Sequence, residues 1–550
     1  MSAGQAPPGR RVQLPLQLAS AVAESFTRAQ SERVVTRIWE RDATVWAEAG
    51  TPEVADRLGW LAGPETMRTA LGDLTAFRES CVADGLTDAV VLGMGGSSLA
   101  PEVFRSSFER GSDGLALHVL DSTHPDAVHA VEDAVDLEQT LFLVSTKSGG
   151  TIETLSLFSH FYARVKDRRG DQAGRAFAAI TDPGSSLIRL AEEHGFRETF
   201  LNDPDIGGRY SALSYFGLVP AALLGVDLEP LLERAWLAAQ ACRDEGEAND
   251  GLWLGVALAE LARAGADKLT LVLPEPIEAL GLWIEQLIAE STGKEGRGIL
   301  PIAGEPLGEA ESYGGDRVFV AHPGGGGEPA LEAIARAGRP LIELPIDGVE
   351  DLGRLFFVWE FATAVAGRVL GINPFDQPNV QEAKDATSGV LDAYDERGRL
   401  PDVATATGER VEALAVQLEP PHYLALMGYM PPSAGVDLAI GRLRAAVRDA
   451  RGVATTFGYG PRFLHSIGQL HKGGPASGVF VQLLQAPRRD AEVPGAGWSF
   501  ATLIEAQATG DLETLRAHSL PAERLVVDGD DVAGAIDALA TKLAAPGGGG

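Results

Sequence analysis

The residues best suited to acid–base chemistry gather in the stretch IAESTGKEGRG, Ile288–Gly298. Leu280, Trp283, Ile284, Leu287 and Ile288 lead into it at steps of three and four, the spacing that lines up one helical face. Ser-Thr-Gly then breaks the periodicity, with Gly293 in a helix-stop position. Glu290 therefore falls in the last helical turn, where the partial negative charge of the helix end disfavours ionisation. A carboxylate raised in that way is a better general base near neutral pH. Taken alone, the stretch reads first as a solvated Glu at a helix end.

A second group of residues suits an anion. Ser145-Thr146-Lys147-Ser148-Gly149-Gly150-Thr151 sits between a predicted strand and a predicted helix. Backbone N–H groups at such a helix start point at a ligand, the hydroxyls add donors without bulk, and the lysine adds charge. The GxxxxGK[ST] nucleotide loop is absent, so a monophosphate group fits better than a nucleotide. Gly93-Met94-Gly95-Gly96-Ser97-Ser98 also follows a strand, and Asp121 ends the next one. That pair invites a dinucleotide reading, but Ser98 replaces the third glycine, and a tight strand-to-helix turn explains the loop as well. Arg209 follows Gly207 and Gly208, which let a guanidinium come close to a planar or anionic group. Lys384 lies seven residues after Gln377, two helical turns on, so the two share a face. Each of these is also compatible with an ordinary salt bridge or helix face.

These residues need elements to hold them. Short apolar runs at Asp88–Leu92, Ala116–Leu120, Thr140–Val144 and Phe177–Ile180 alternate with helical segments, which predicts a doubly wound parallel sheet. A second such set has strands at Leu269–Leu273, Arg317–Ala321 and Pro340–Leu344, with the Glu290 helix between the first two. Residues 13–80 read as amphipathic helices forming a cap without chemistry. Beyond residue 395, strands at Val453–Thr456 and Val479–Leu483 flank a polar stretch, Gly460–Gly474, expected as a surface loop. A helix at Ala501–Ala517 and a strand at Arg524–Val527 follow. The organisation expected is a helical segment over 1–80, α/β domains over 81–245 and 246–394, an extension over 395–545, and a disordered tail over 546–550. Gly324–Gly327 reads as a flexible loop.

Bulk properties narrow the function classes. A chain of 550 residues exceeds one core, and ~3–4 domains is the size prior. The net charge of −31 argues against nucleic acid and requires any anionic substrate to meet a local cluster of donors. Cys81 and Cys242 have no CxxC or Cys/His ligand spacing, which points to a reducing compartment without a zinc site. The start, MSAGQAPPGRR, has no apolar signal core, and the longest apolar run, Tyr215–Val226, is short and holds Pro220.

Together the motifs resemble the phosphoglucose isomerase family, which is built from two sugar-isomerase (SIS) domains. The residues that carry the resemblance are VLGMGGSSL at 91–99, STKSGGTIET at 145–154, GGRYS at 207–211, ESTGK at 290–294 and FDQPNVQEAK at 375–384. A GPRFLHSIGQLHKGGP segment at 460–475 is similar, more narrowly, to the isomerase half of bacterial transaldolase–phosphoglucose isomerase fusions. The transaldolase half itself is missing, since 80 N-terminal residues cannot form a barrel of ~250.

The resemblance implies a cytoplasmic, cofactor-free and metal-free interconversion of glucose 6-phosphate and fructose 6-phosphate through an enediol. Gly96, Ser97, Thr146, Lys147, Ser148 and Thr151 would hold the sugar phosphate. Glu290 would move the proton between C2 and C1, Arg209 would stabilise the enediolate, Gln377 would orient substrate, and Lys384 would assist at the ring oxygen or phosphate. Isomerisation of mannose 6-phosphate as well, or a non-catalytic sugar-phosphate-binding SIS regulator, are the alternatives. A regulator would not need Glu290, Arg209 and Lys384 together. The family's ring-opening histidine is replaced here by Glu328-Pro329, and Asn379 stands where the family has glycine. His322 is the stand-in assigned to catalysis, with His465 and His471 as rivals. Because relatives take that histidine from a neighbouring subunit, a homodimer is implied.

Overall fold

Wholly buried apolar runs such as Ala89–Leu92 and Leu141–Val144 become central strands, since helices cover both faces of a parallel sheet. The structure, a computed structural model, describes residues 9–323, 329–527 and 531–545. The expected glycine loop Gly324–Gly327, Glu328 and the tail 546–550 lie outside the described residues.

The strands in chain order are β1 (Arg11–Gln13), β2 (Asp88–Gly93), β3 (Ala116–Leu120), β4 (Thr140–Ser145), β5 (Phe177–Thr181), β6 (Glu198–Leu201), β7 (Lys268–Val272), β8 (Leu300–Ile302), β9 (Arg317–Ala321), β10 (Leu341–Glu343), β11 (Tyr423–Tyr429), β12 (Ala454–Tyr459), β13 (Gly478–Leu484) and β14 (Ala522–Val526). Among the described residues they form three sheets, ordered β3-β2-β4-β5-β6, β1-β10-β9-β7-β8 and β12-β11-β13-β14. All pairings are parallel except that of β1 with β10. The α/β class read from the sequence holds, with helices flanking each sheet.

In the first sheet the chain leaves β2 for β3 on one side and then crosses to β4 on the other. The reversal falls between β2 and β4, whose last residues, Gly93 and Ser145, are register partners. Ligands bind open α/β sheets at that kind of reversal, beyond the strand ends. The loop Met94–Ser97 and the loop Thr146–Thr151 leave from it side by side.

Several strands were not anticipated. β1 carries the chain start onto the second sheet, and β6 and β8 are edge strands too short to stand out. β11, the centre of the third sheet, is a fully buried run between Pro420-Pro421 and Pro431-Pro432. The larger correction concerns Gly460–Gly474. It is not a surface loop: it folds as a one-turn helix, Arg462–His465, and a short helix, Gly468–Gly473. Phe463, Leu464, Ile467 and Leu470 are buried with Ala289 of the Glu290 helix in one apolar cluster.

The third sheet is tied to the second by buried polar groups. Glu305 pairs with Arg317 at 2.9 Å and accepts from the Thr455 amide at 3.1 Å and hydroxyl at 2.7 Å. The N-terminal helices cover the first two sheets, with Trp60 stacked on Tyr210 at 5.3 Å between ring centres.

Candidate active site

The Glu290 helix spans Leu280–Thr292, and every residue in it but Leu282 is buried. Its end is packed against the third-sheet unit. A β-carbon on Gly293 would run into the Leu470 backbone, so glycine is needed there for close approach and not for a left-handed turn, its φ being −77°. Glu290, 4% exposed, accepts from Gln286 Nε2 at 3.1 Å and lies 3.5 Å from Arg209 Nη1. Gln286, one turn earlier at the four-residue step, was not singled out in the sequence.

Arg209 has little freedom. Its Nε donates to Ser291 Oγ at 2.8 Å, Nη1 to Gln377 Oε1 at 2.7 Å, and Nη2 to the carbonyls of Pro374 and Asp376, both at 2.8 Å. Lys294 ties the same loop to the helix end, its Nζ 2.6 Å from Asn373 O and from Asp376 Oδ1. Burial, with the positive charge of Arg209, draws the Lys294 ammonium down to about 7 against the pull of Asp376.

The anion loop faces this pair. Thr146 and Thr151 hydroxyls bond to each other at 2.8 Å, and Thr151 stands at the start of the helix Ile152–Arg169 without a side-chain bond to its amides. Gly96 starts the helix Gly96–Ser107, and any side chain on it would collide with the Gly208 carbonyl. That contact brings the two glycine loops together. Lys147 is not a free cation: its ammonium is paired with Asp182 and donates to the Pro204 carbonyl at 3.0 Å.

A cavity of about 570 Å³ is lined by all the residues assigned to the site except His322. Gly96, Ser97, Thr146, Lys147, Ser148 and Thr151 share it with Glu290, Arg209, Gln377 and Lys384. Arg57, paired with Glu53 at 3.0 Å and Asp56 at 3.1 Å, also lines it, so the N-terminal cap reaches the cleft, contrary to the expectation of a cap apart from the chemistry. A second cavity of about 330 Å³ adjoins it through Thr151, Val380, Lys384 and His465.

The histidines separate cleanly. His322 is fully buried beyond β9; its Nδ1 donates to the Leu344 carbonyl at 3.0 Å and its Nε2 accepts from the Trp359 indole at 3.1 Å. Burial draws it down to about 4. Both nitrogens are engaged and the ring does not reach the cavity, so its assignment to ring opening fails. His471 is packed on Phe480 at 5.0 Å between ring centres, and burial holds it well below the ordinary histidine range. Only His465 of the three lines the cavity. Its Nε2 is 2.9 Å from Glu153 Oε1. Burial alone would raise the Glu153 carboxyl, yet His465, with Lys384 adding to it, holds it below the usual range. Asp121, which had suggested a ribose contact, instead faces Arg462 at 3.6 Å. Among the described residues, no helix is long and apolar enough to cross a membrane, and no cluster of three metal-ligating side chains is present.

Residues 67–296 match the family model of phosphoglucose isomerase. A glucose-6-phosphate isomerase of Thermus thermophilus is 30% identical over 316 residues, 56% of this chain and 73% of that protein. One from Rubrobacter xylanophilus is 29% identical, covering 60% of this chain and 88% of its own length. Among solved structures, a hypothetical protein from Thermus thermophilus superposes with a TM-score of 0.59 at 25% identity, over 69% of this chain and 99% of that one. A glucose-6-phosphate isomerase from Chlamydia trachomatis gives 0.58 at 17% identity over 68% of this chain and 86% of its own, a likeness of fold.

Proposed function

We propose a mechanism from one premise: the chain belongs to the phosphoglucose isomerase family. It is an aldose–ketose isomerase that interconverts glucose 6-phosphate and fructose 6-phosphate. The assignment of roles to residues rests on one observation, that Glu290 and the hydroxyl-rich loop face each other across a single cleft with Arg209 beside the carboxylate.

The phosphate sits against Ser97, Thr146, Ser148 and Thr151 and the amides that open the helix Ile152–Arg169. With Lys147 paired to Asp182, neutral donors and helix ends carry most of that binding. This is the local answer to a net charge of −31. At the other end of the sugar, Glu290 takes the C2 proton and returns it to C1. Arg209, locked by four hydrogen bonds to Ser291, Gln377, Pro374 and Asp376, stabilises the enediolate oxygens between the two transfers. Donors fixed before the reaction lose nothing to reorganisation as charge develops. Gln377, held by Arg209, lines the same wall and orients the hydroxyls.

Free, buried Cys81 and Cys242 support a cytoplasmic reading. The family resemblance supports a homodimer, which sedimentation tests directly. For the domains, we read 1–80 as the helical cap, 81–245 and 246–394 as the two SIS domains, and 395–545 as an extension.

Glu290→Gln keeps the shape of the site and removes the base. Turnover of fructose 6-phosphate in a coupled assay should fall ~10²–10⁴-fold, with sugar-phosphate affinity nearly unchanged. Wild-type turnover would move the base elsewhere.

A further inference from the structure

Both substrates are mainly cyclic, and C2 can lose its proton to Glu290 only after the ring opens. Ring opening moves one proton from the anomeric hydroxyl to the ring oxygen. The group that does this must reach the cleft, hold a free lone pair and be held in place.

His465 meets each condition. It ends the one-turn helix after β12 and reaches the cleft from the third sheet, with its side chain 15% exposed. Nε2 faces Glu153 Oε1 at 2.9 Å, and Gln507 Nε2 donates to the same oxygen at 2.7 Å. Gln507 is fixed in turn by the Thr123 hydroxyl at 2.7 Å. A carboxylate facing Nε2 sets the tautomer that carries its hydrogen there. The other nitrogen, Nδ1, has no hydrogen-bond partner among the described residues. The backbone is fixed as well: Gln286 Nε2 donates to the His465 carbonyl at 2.8 Å and to Glu290 Oε2 at 3.1 Å. The ring-bearing residue and the base are thus joined through one side chain.

On the isomerase reading above, we propose that His465 opens the sugar ring and that the third-sheet unit supplies it to the active site of its own chain. Nδ1 takes the proton of the anomeric hydroxyl. The carbonyl double bond forms as the bond from the anomeric carbon to the ring oxygen breaks, its electron pair leaving on that oxygen. The imidazolium then gives the same proton to the ring oxygen, so protons balance and no co-reactant is needed. Glu153 and Gln507 are positioning residues. Residues 395–545 therefore belong to the catalytic unit, and each chain carries a complete set.

The test uses full-length His465→Ala, Glu153→Gln and Glu290→Gln. His465→Ala should lose ~10²-fold or more of turnover with glucose 6-phosphate. It should still bind an open-chain five-carbon aldonate phosphate, whose carboxylate imitates the enediolate, within about threefold of wild type, as expected if only proton transfer is lost. Glu153→Gln should lower kcat with glucose 6-phosphate while leaving KM and analogue affinity within about threefold of wild type, because the carboxylate that orients the His465 ring is lost. Co-expression of His465→Ala and Glu290→Gln chains with different tags should leave the mixed protein as inactive as either parent. Restored activity would mean that the histidine crosses to the neighbouring subunit, and would overturn the proposal. So would turnover within threefold of wild type in His465→Ala while Glu290→Gln is dead, or a loss of analogue affinity that matches the loss of rate. Activity retained in Glu290→Gln is a separate failure, that of the isomerase roles themselves.

Discussion

At the scale of residues, the site divides into groups that act and groups that hold. On the proposed roles, Ser148 and Thr151, which line the cleft, would face a phosphate remote from the reacting carbons, so their hydroxyls would contribute mainly to binding. The double change Ser148→Ala, Thr151→Ala should raise KM for fructose 6-phosphate by ~10-fold or more, at about 1 kcal/mol per lost hydrogen bond. Turnover should fall less, since remote binding also helps orient the sugar. Unchanged KM would remove the loop from the phosphate site. Glu285 makes a different prediction. It is 6% exposed, accepts from Ser466 Oγ at 3.2 Å, and burial pushes it up to about 7 despite Arg462 and Arg444. The native state then binds more protons than the unfolded state between the ordinary carboxylate value and about 7, so stability falls as pH rises through that window. Glu285→Gln imitates the protonated form and lacks that slope. Denaturation of both proteins at pH 4.5 and 7.5 should show the wild type losing on the order of 3 kcal/mol relative to the variant, at 1.36 kcal/mol per pKa unit. An equal gap at both pH values would mean that Glu285 is charged in the fold. Residue type and spacing singled out Glu290, Arg209 and the hydroxyl loop, but only the family resemblance gave them roles, and the structure shows that they line one cleft. His322 was chosen because it ends a strand near a glycine run, a local signal that says nothing of which side of the sheet its ring enters.

At the scale of elements, the contact between the Glu290 helix and the helix Gly468–Gly473 holds the site together. Gln469, fully buried, donates to the Gly293 carbonyl at 3.0 Å and to Asn379 Oδ1 at 2.8 Å, and accepts from the Asn379 amide at 2.9 Å. Asn379, out of place against the family pattern, thus has a local use: it docks the extension on the helix that carries Lys384. Gly293→Ala should test the seam. The backbone there suits any residue, so the cost comes from the collisions with Leu470 and the Ala289 carbonyl. Overpacking of that kind costs about 1–3 kcal/mol, and displacement of the segment should lower turnover because it carries His465. Thermal denaturation and a coupled assay measure the two effects; a variant with wild-type values in both would show the seam to be loose. The stretch 460–475 was misread because its glycines, prolines and charges resemble a turn-rich loop. Phe463, Ile467 and Leu470 recur in it at helical steps, and that periodicity was the better signal.

For the whole molecule, local pattern and long-range placement had separate shares. The sequence by itself determined the α/β class, the two strand–loop–helix units that carry the glycine- and hydroxyl-rich loops, and the helix that holds Glu290 in its last turn. Those follow from apolar periods of two and 3.6, from glycine and hydroxyl residues at strand ends, and from a run of helical steps, all of which act over a few residues. Tertiary structure alone decided which histidine lines the cleft, that Arg57 of the cap lines it too, and that a segment of the third-sheet unit reaches it. His465 and Glu153 are 312 residues apart and meet only because the Arg462–Gly473 segment is buried against the Glu290 helix. No local propensity encodes such a pairing. It is fixed by the shape of the apolar surfaces that pack around it, which exist only once all three sheets are formed.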